Sequence, residues 1–487
     1  MIDLTIDESG LRRATARARE RGVRIPTFKQ MAEPERIPAE VRGRLANLGL
    51  WQLDPLNLFR INWHNEPVER GGGFGRVNAL EFPSALTGTP ARIISLLGKW
   101  FPTGAHKVGA AFGCLAPRLA SGQFDPSRQA AAWPSTGNFC RGGAYDSHLL
   151  GCHSIAILPE GMSQERFDWL EQVAGEVIKT PGSESNVKEI FDKCAELRRS
   201  GRDLVIFNQF EELGNYLWHY AVTGRAMEEV LEAELGPASV FRGLALTTGS
   251  AGTLAAGDYL KERFSAAKIA ASEALQCPTL LYNGFGAHRI EGIGDKHVPW
   301  IHNVRNTDLV MAIDDAAVVA LMRLFNEPAG QAYLARQGVA EEAIAQLPLV
   351  APSGIANLLS AVKMAKYFEL GPDDLLLTVA TDSMALYASR LAELRAAEGE
   401  FDALAAAAAF HRYLMGAAID HVQELDYYGR KRIHNLKYFT WVEQQGRLAA
   451  ELEAQWSDPG YWRGVPAQLV EIDALIEAFN ERAGIGN

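Results

Sequence analysis

The sequence predicts an α/β fold, in which mostly parallel strands are covered by helices and a helical tail follows. Three observations predict it. Between about 85 and 390, short apolar runs alternate with stretches of helical period. Several of those runs end in turns rich in glycine and hydroxyl side chains, where open α/β sheets gather their ligands. From about 391 the character changes to alanine-rich helix.

Taken in order, residues 1–84 form an aromatic, loop-rich N-terminal extension containing "LDPLNLFRINWHNEP". The "GGGFG" at 71–75 reads as a flexible connection, because no β-run precedes it and no clear helix follows. Residues 85–390 form the core. Its runs "HSIAILP", "DLVIFN", "GLALTTG", "LVMAI" and "LLLTVAT" read as strands, and "SQERFDWLEQVAG" and "SNVKEIFDKCAELRRSG" as helices. Such alternation implies a parallel sheet buried on both faces. Residues 391–487 form a C-terminal helical extension, with "DALAAAAAFHRYLMGAAIDHVQELDYY" and "YWRGVPAQLVEIDALIEAFNERAG" as its clearest helical segments. Within it, "YYGRKRIHNLKYFTW" reads as a packed helix with a charged face, and no internal repeat is evident.

Composition narrows the function. At 487 residues, 47% apolar and 22% charged, the chain can bury a large core. With 48 basic and 59 acidic residues the formal charge is −11, which disfavours nucleic acid or an anionic membrane as main partner. No apolar run approaches the roughly 20 residues that span a bilayer. The Arg-rich start carries Asp3, Asp7, Glu8 and Glu20, unlike an organelle presequence. Five cysteines without a CxxC pair suit a reducing cytoplasm, with neither a disulfide framework nor a metal site.

Four segments carry chemistry. In "PTGAHKVGA", Lys107 is a long cationic side chain among Gly104, Ala105, Gly109 and Ala110. It is either a surface lysine or an imine-forming amine, which works deprotonated in a desolvated pocket. His106 either faces that pocket or is a satisfied core histidine. In "PSTGNFCRGGA", a strand runs into Ser135, Thr136, Gly137 and Asn138; this is either a helix cap or a carboxylate- or phosphate-binding turn. In "LALTTGSAGTLAAGDYLKERF", Gly249, Ser250, Ala251, Gly252 and Thr253 lie between a strand and an amphipathic helix. Glycines there turn amides inward, and the helix dipole favours an anion; the spacing matches neither a Walker loop nor a dinucleotide fingerprint. In "LLLTVATDSMALY", Thr381 stands at the end of a buried strand, as a ligand group or as a cap.

Together and in order, these segments resemble the fold-type-II pyridoxal-phosphate enzymes, the tryptophan-synthase-β superfamily, and most of all its cysteine synthase and cystathionine β-synthase branch. "LTGTPARIISL", "PTGAHK", "STGNFCRGGA", "ILPEGMSQERF", "NQFEELGNYLWHYAVTG" and "HRIEGIGDKHVP" each resemble a family motif, over about 85–390. The resemblance implies two lobes of parallel-rich sheet flanked by helices, pyridoxal 5′-phosphate as cofactor, a small amino-acid substrate and a homodimer. It implies Lys107 as the Schiff-base lysine and α-proton shuttle, and His106 beside it as a cofactor-binding residue. Asn138 would contact the phenolic oxygen, Gly249–Thr253 the phosphate, and Thr381 the pyridine nitrogen. Ser135, Thr136, Gly137 and Gln209 would hold the substrate carboxylate.

The implied reaction is α-proton abstraction and β-elimination through an aminoacrylate, with β-replacement as the alternative. A threonine synthase-like activity, echoed in the form of the phosphate loop, and a catalytically silent cofactor-binding protein are the remaining readings. The two extensions depart from the cysteine synthase pattern. So do the weak "APSGIAN" echo of its substrate loop and the Asp295-Lys296-His297 run, a solvated loop or a recognition element for a distal group.

Overall fold

Eleven strands form among residues 1–485, the residues that the computed structural model describes. They are β1 (Ala79–Phe82), β2 (Arg92–Leu97), β3 (Ala130–Pro134), β4 (Ser154–Pro159), β5 (Glu176–Thr180) and β6 (Leu204–Ile206). There follow β7 (Val240–Thr247), β8 (Lys268–Ala274), β9 (Leu309–Ile313), β10 (Asp374–Ala380) and β11 (Val422–Glu424). Seven make one sheet in the order β1-β2-β10-β7-β8-β9-β11, and four make a second, β5-β4-β3-β6.

Every pairing in the small sheet is parallel, as are the four inner pairings of the large one. Only the edges, β1 on β2 and β11 on β9, run antiparallel. The burial patterns follow. In "DLLLTVA" and "SIAILP" every position is buried, as in strands covered on both faces. In β1, Leu80 and Phe82 are buried while Glu81 between them is exposed, as befits an edge. The run "KIAASEA" has side chains too small to stand out as a strand, yet it becomes β8, deep in the large sheet.

The helices that matter for the site are α1 (Glu8–Arg21), α2 (Lys107–Ala120), α3 (Asn138–Leu150), α4 (Gln164–Val173) and α5 (Leu254–Arg263). Four later ones also count: α6 (Pro352–Tyr367), α7 (Ala388–Glu398), α8 (Tyr427–Lys437) and α9 (Leu469–Ala483). Helices α2 and α3 approach to backbone contact. A Cβ on Gly142 would lie 2.7 Å from the Cα of Val108, so glycine is what sets this spacing. That contact fixes where α2 begins, and therefore where Lys107 stands.

The two extensions share the core instead of hanging from it. Leu11, Ala14 and Ala18 of α1 pack in one apolar cluster with Ile472, Ile476 and Phe479 of α9 and Phe112 and Leu115 of α2. Each large aliphatic or aromatic side chain buried this way contributes roughly 1.5–3 kcal/mol. Asn480 clamps the chain ends: its Oδ1 accepts from the Ile25 amide (3.1 Å) and its Nδ2 donates to the Ile25 carbonyl (2.8 Å). Strands β1 and β11, from outside 85–390, complete the large sheet.

Two expectations are corrected. Gly71–Gly75 is not a loose connection. Arg60 is fully buried and donates to the Leu45 carbonyl at 2.6 Å and to the Gly72 carbonyl. A buried guanidinium needs such acceptors, and supplying one pins the turn. Nor is "DALAAAAAFHRYLMGAAIDHVQELDYY" helical throughout: its helix ends through a π-turn, His411–Met415, before Gly416, and Val422–Glu424 then fills the open edge of β9. The helical reading of "YYGRKRIHNLK" stands as α8, although its Lys437 is buried and donates to the carbonyls of Trp300 (2.9 Å) and His302 (2.7 Å).

Candidate active site

Three strand ends converge on one cavity. Past β3 the chain turns through Ser135–Gly137 into α3; past β7 it turns through Gly249–Thr253 into α5; past β10 comes Thr381. Lys107, the first residue of α2, reaches in from the side.

The lysine is held by side chains. Its Nζ donates to Ser250 Oγ at 2.8 Å and to Gln209 Oε1 at 3.3 Å. Gln209 Nε2 donates in turn to Ser135 Oγ at 3.3 Å. Asn215 Nδ2 donates to Ser250 Oγ at 3.0 Å and to the Gln209 carbonyl at 2.9 Å, tying both partners together. With the lysine lying across the slot, the free space left is about 20 Å³. Burial pushes the ε-amine down to about 8. A neutral amine is the nucleophilic form, so the pocket prepares it for attack.

The glycine loop is a cradle at the N-terminus of α5. Ala251 holds φ of 63°, a costly conformation for a residue with a side chain. A Cβ on Gly252 would collide with the Asn215 amide and the His219 ring. One on Gly249 would stand 3.3 Å from the Gly292 carbonyl, inside the slot. The geometry keeps the slot open beside a helix end that attracts anions.

Of the residues expected at the site, Lys107, Ser135, Thr136, Asn138, Gln209, Gly249, Ser250 and Thr381 line the cavity. Gly137 shapes it from behind: its φ is 145°, and a Cβ there would strike Arg166. Ala251, Gly252 and Thr253 continue the loop into α5. His106 is the exception. It stands behind Thr381, with Nε2 3.3 Å from the threonine Oγ1 and its ring against Trp63, Trp218 and His219. Burial, with the neighbouring Lys107 charge, keeps this imidazole well below its usual pKa and therefore neutral. It braces Thr381 and does not line the cavity.

Asn138 donates through Nδ2 to Asp382 Oδ2 at 2.6 Å, while its Oδ1 is buried without a partner. Asp382 also accepts from the Tyr387 hydroxyl at 2.8 Å, and burial raises its carboxyl despite Arg166 nearby. Arg166, on α4, is completely buried, pairs with Glu291 and donates to the Tyr387 hydroxyl at 2.6 Å. This network joins α4, beside the small sheet, to segments of the large-sheet lobe.

Sequence reasoning missed three groups: Glu184, Asn215 and the Arg166–Glu291 pair. Asn215, Arg166 and Glu291 do fall inside quoted motifs, "NQFEELGNYLWHYAVTG", "ILPEGMSQERF" and "HRIEGIGDKHVP", but nothing local distinguishes them. Glu184, in "GSESN", has no sequence signal at all. Among the described residues no group of three or more His, Cys, Asp or Glu is arranged to hold a metal, and no helix is long and apolar enough to cross a membrane.

Comparison with known proteins bears on the same region. The family described as "Pyridoxal-phosphate dependent enzyme" matches residues 98–382, more than half of the chain. Cystathionine β-synthase of Saccharomyces cerevisiae is 26% identical over 322 residues, 64% of this chain and 60% of the yeast protein. A probable cysteine synthase of Bacillus subtilis is 27% identical over 315 residues, 64% of this chain and 92% of its own. Among solved structures, a hydrogen sulfide-producing enzyme of Fusobacterium nucleatum superposes with a TM-score of 0.54 at 20% identity, covering 63% of this chain and 95% of that one. The O-acetylserine-dependent cystathionine β-synthase of Helicobacter pylori gives 0.53 at 23% identity, covering 65% and 95%. At these identities the structures speak to the fold.

Proposed function

We propose, for a chain that belongs to the pyridoxal-phosphate-dependent enzyme family, that it is a lyase removing the β-substituent of a polar amino acid. The residues present fit the cofactor. Lys107 offers an amine that burial makes easier to deprotonate for attack on its aldehyde, the Gly249–Thr253 cradle at the start of α5 suits its phosphate, and Asn138 and Thr381 offer polar groups to its ring. A side chain on Gly249 would fill the slot that this arrangement keeps clear. When bound, the cofactor supplies an electron sink that acidifies the α C–H bond of an amino acid held through its amine.

The rest is the work of this chain. Ser135, Thr136 and the Gly137 turn, with Gln209 beside them, present hydroxyls and an amide to the substrate carboxylate. Lys107, freed from its own attachment, receives the α-proton at Nζ; an amine near 8 is matched to that task at neutral pH. Ser250 and Gln209 hold the ammonium that results.

The observation that carries this reading is Lys107 Nζ lying against Ser250 inside the glycine cradle. Its test is release of keto acid and ammonia by the purified holoenzyme from a panel of β-substituted amino acids, compared with Lys107→Ala. General-base loss should lower kcat by ~10²–10⁴-fold, and the near-visible absorption of the lysine-linked cofactor should vanish. A variant that keeps both would sink the proposal.

Replacement in place of elimination is the second reading, favoured by the names of the two relatives above. Thiols added to the same panel decide between them: a new thioether amino acid at the expense of keto acid supports replacement. We extend the proposal to a homodimer working in a reducing cytoplasm; the five free cysteines support the second point.

A further inference from the structure

A second cavity, of about 390 Å³, lies beside the lysine cavity, and Glu184 lines both. Its lining mixes apolar side chains such as Met322 and Leu394 with charges of both signs, Arg289 and Arg390 alongside Glu291 and Glu393. Glu184 sits in the loop between β5 and the helix that starts at Val187. It is 2% exposed, and its Oε2 has no hydrogen-bond partner. The Thr136 hydroxyl and the Gly292 amide lie within reach of the carboxyl, and the charged groups facing it are Arg166, Glu291 and Lys107.

A buried carboxyl with one unpaired oxygen is costly for a fold that gains nothing from it. Desolvation outweighs Arg166 here and pushes Glu184 up to about 8, so it carries a proton at neutral pH. The mechanism described above assigns this proton no role. Yet the group stands next to Thr136 in the lining of the lysine cavity and borders a space large enough for a substituent.

We propose that Glu184 is the acid that protonates the β-substituent as it leaves, and that the flanking cavity receives that substituent. This rests on the elimination reading and deepens it. The step balances as follows. The α C–H bond breaks and its proton goes to Lys107 Nζ, while its electrons become the Cα–Cβ double bond. The Cβ–X bond breaks, X leaves with that electron pair, and the Glu184 O–H proton passes to X, giving neutral HX and a carboxylate. Exchange with solvent returns one proton to Glu184 and removes one from Lys107. An acid is needed when X is a strong base, so the substrate class is a β-hydroxy or β-amino amino acid. A β-halide or β-ester leaves without help.

The test compares wild-type holoenzyme with Glu184→Gln, which keeps size and hydrogen bonding but has no acidic proton. L-serine, 2,3-diaminopropionate and β-chloroalanine are the probes. Alanine α-proton exchange in D₂O is measured alongside as a readout independent of elimination. Elimination from whichever of the first two the wild type uses should fall by ~10²–10⁴-fold, while β-chloroalanine turnover and alanine exchange stay within a few-fold. Glu184→Asp should restore part of the loss. Equal losses on all probes and on exchange would mean a structural role and overturn the proposal, as would no loss on any. A wild type active on β-chloroalanine but on neither other probe overturns the substrate class. A wild type that eliminates nothing sinks the lyase reading itself, a distinct result.

Discussion

Lys107 Nζ and Ser250 Oγ stand 2.8 Å apart, so the one lysine of the cavity rests on the loop that is shaped for an anion. Cofactor attachment to the apoprotein must therefore release the amine from Ser250 and use it unprotonated. Burial sets that pKa at about 8, below the usual lysine value. The neutral fraction, and with it the rate of attachment, should rise as pH climbs toward 8 and level off above it. Stopped-flow absorbance after mixing apoprotein with pyridoxal phosphate measures this; a rate still climbing tenfold per pH unit between 9 and 10, as for an ordinary lysine (~10.4), would contradict it.

Gly252 faces Asn215 and His219 with no room for a Cβ. Gly252→Ala must displace the Asn215 amide, which holds Ser250 and Gln209. We expect cofactor affinity to drop at least ~10-fold and stability by ~1–3 kcal/mol. Equilibrium titration of apoprotein and a urea melt give the two numbers; wild-type values in both would show that the loop tolerates the methyl group.

Arg166 is a buried cation among Glu291, Asp382 and Tyr387. Arg166→Met takes the nearest cation from Asp382 and leaves Glu291 paired to Arg390 alone, and should cost ~3–5 kcal/mol. Adding Glu291→Leu should recover part of that loss, since removing both charges is cheaper than removing one. Denaturant midpoints of the single and double variants check this. An additive double variant would show that the pair is not coupled.

Asn480 supplies both hydrogen bonds that join α9 to the backbone of Ile25. Asn480→Ala leaves a buried amide and carbonyl unpaired, at ~1–3 kcal/mol. A lower urea midpoint with kcat unchanged is the expected result, because the contact lies in the shared core and away from the cavity lining. An unmoved midpoint would mean the chain ends are not clamped there.

Much of the site was legible along the chain. The turn at Gly249–Thr253 was legible from its place between an apolar run and a helix, but the expected positive φ falls on Ala251, while Gly249 and Gly252 serve close approach of neighbouring groups. Lys107 among small neighbours and Thr381 after a fully apolar strand were legible in the same way. His106 was ambiguous because its sequence neighbours do not reveal its packing: Trp63, Trp218 and His219, which pack around it, all lie far from it along the chain. Strand β8 was passed over because alanine side chains carry little periodic signal, although a position between β7 and β9 buries them completely.

The sequence by itself determined the alternation of strands and helices, the turns at the strand ends and the lysine that follows "PTGAH". These depend on local backbone freedom, capping and apolar period, which neighbouring residues dictate. Only the tertiary structure decided that Glu184 separates two cavities, that Arg166 meets Glu291 across 125 positions, and that both termini enter one core. The physical reason is that burial and pairing depend on which distant segments meet. Desolvation, which gives the Lys107 amine and the Glu184 carboxyl their altered proton affinities, exists only after they have met.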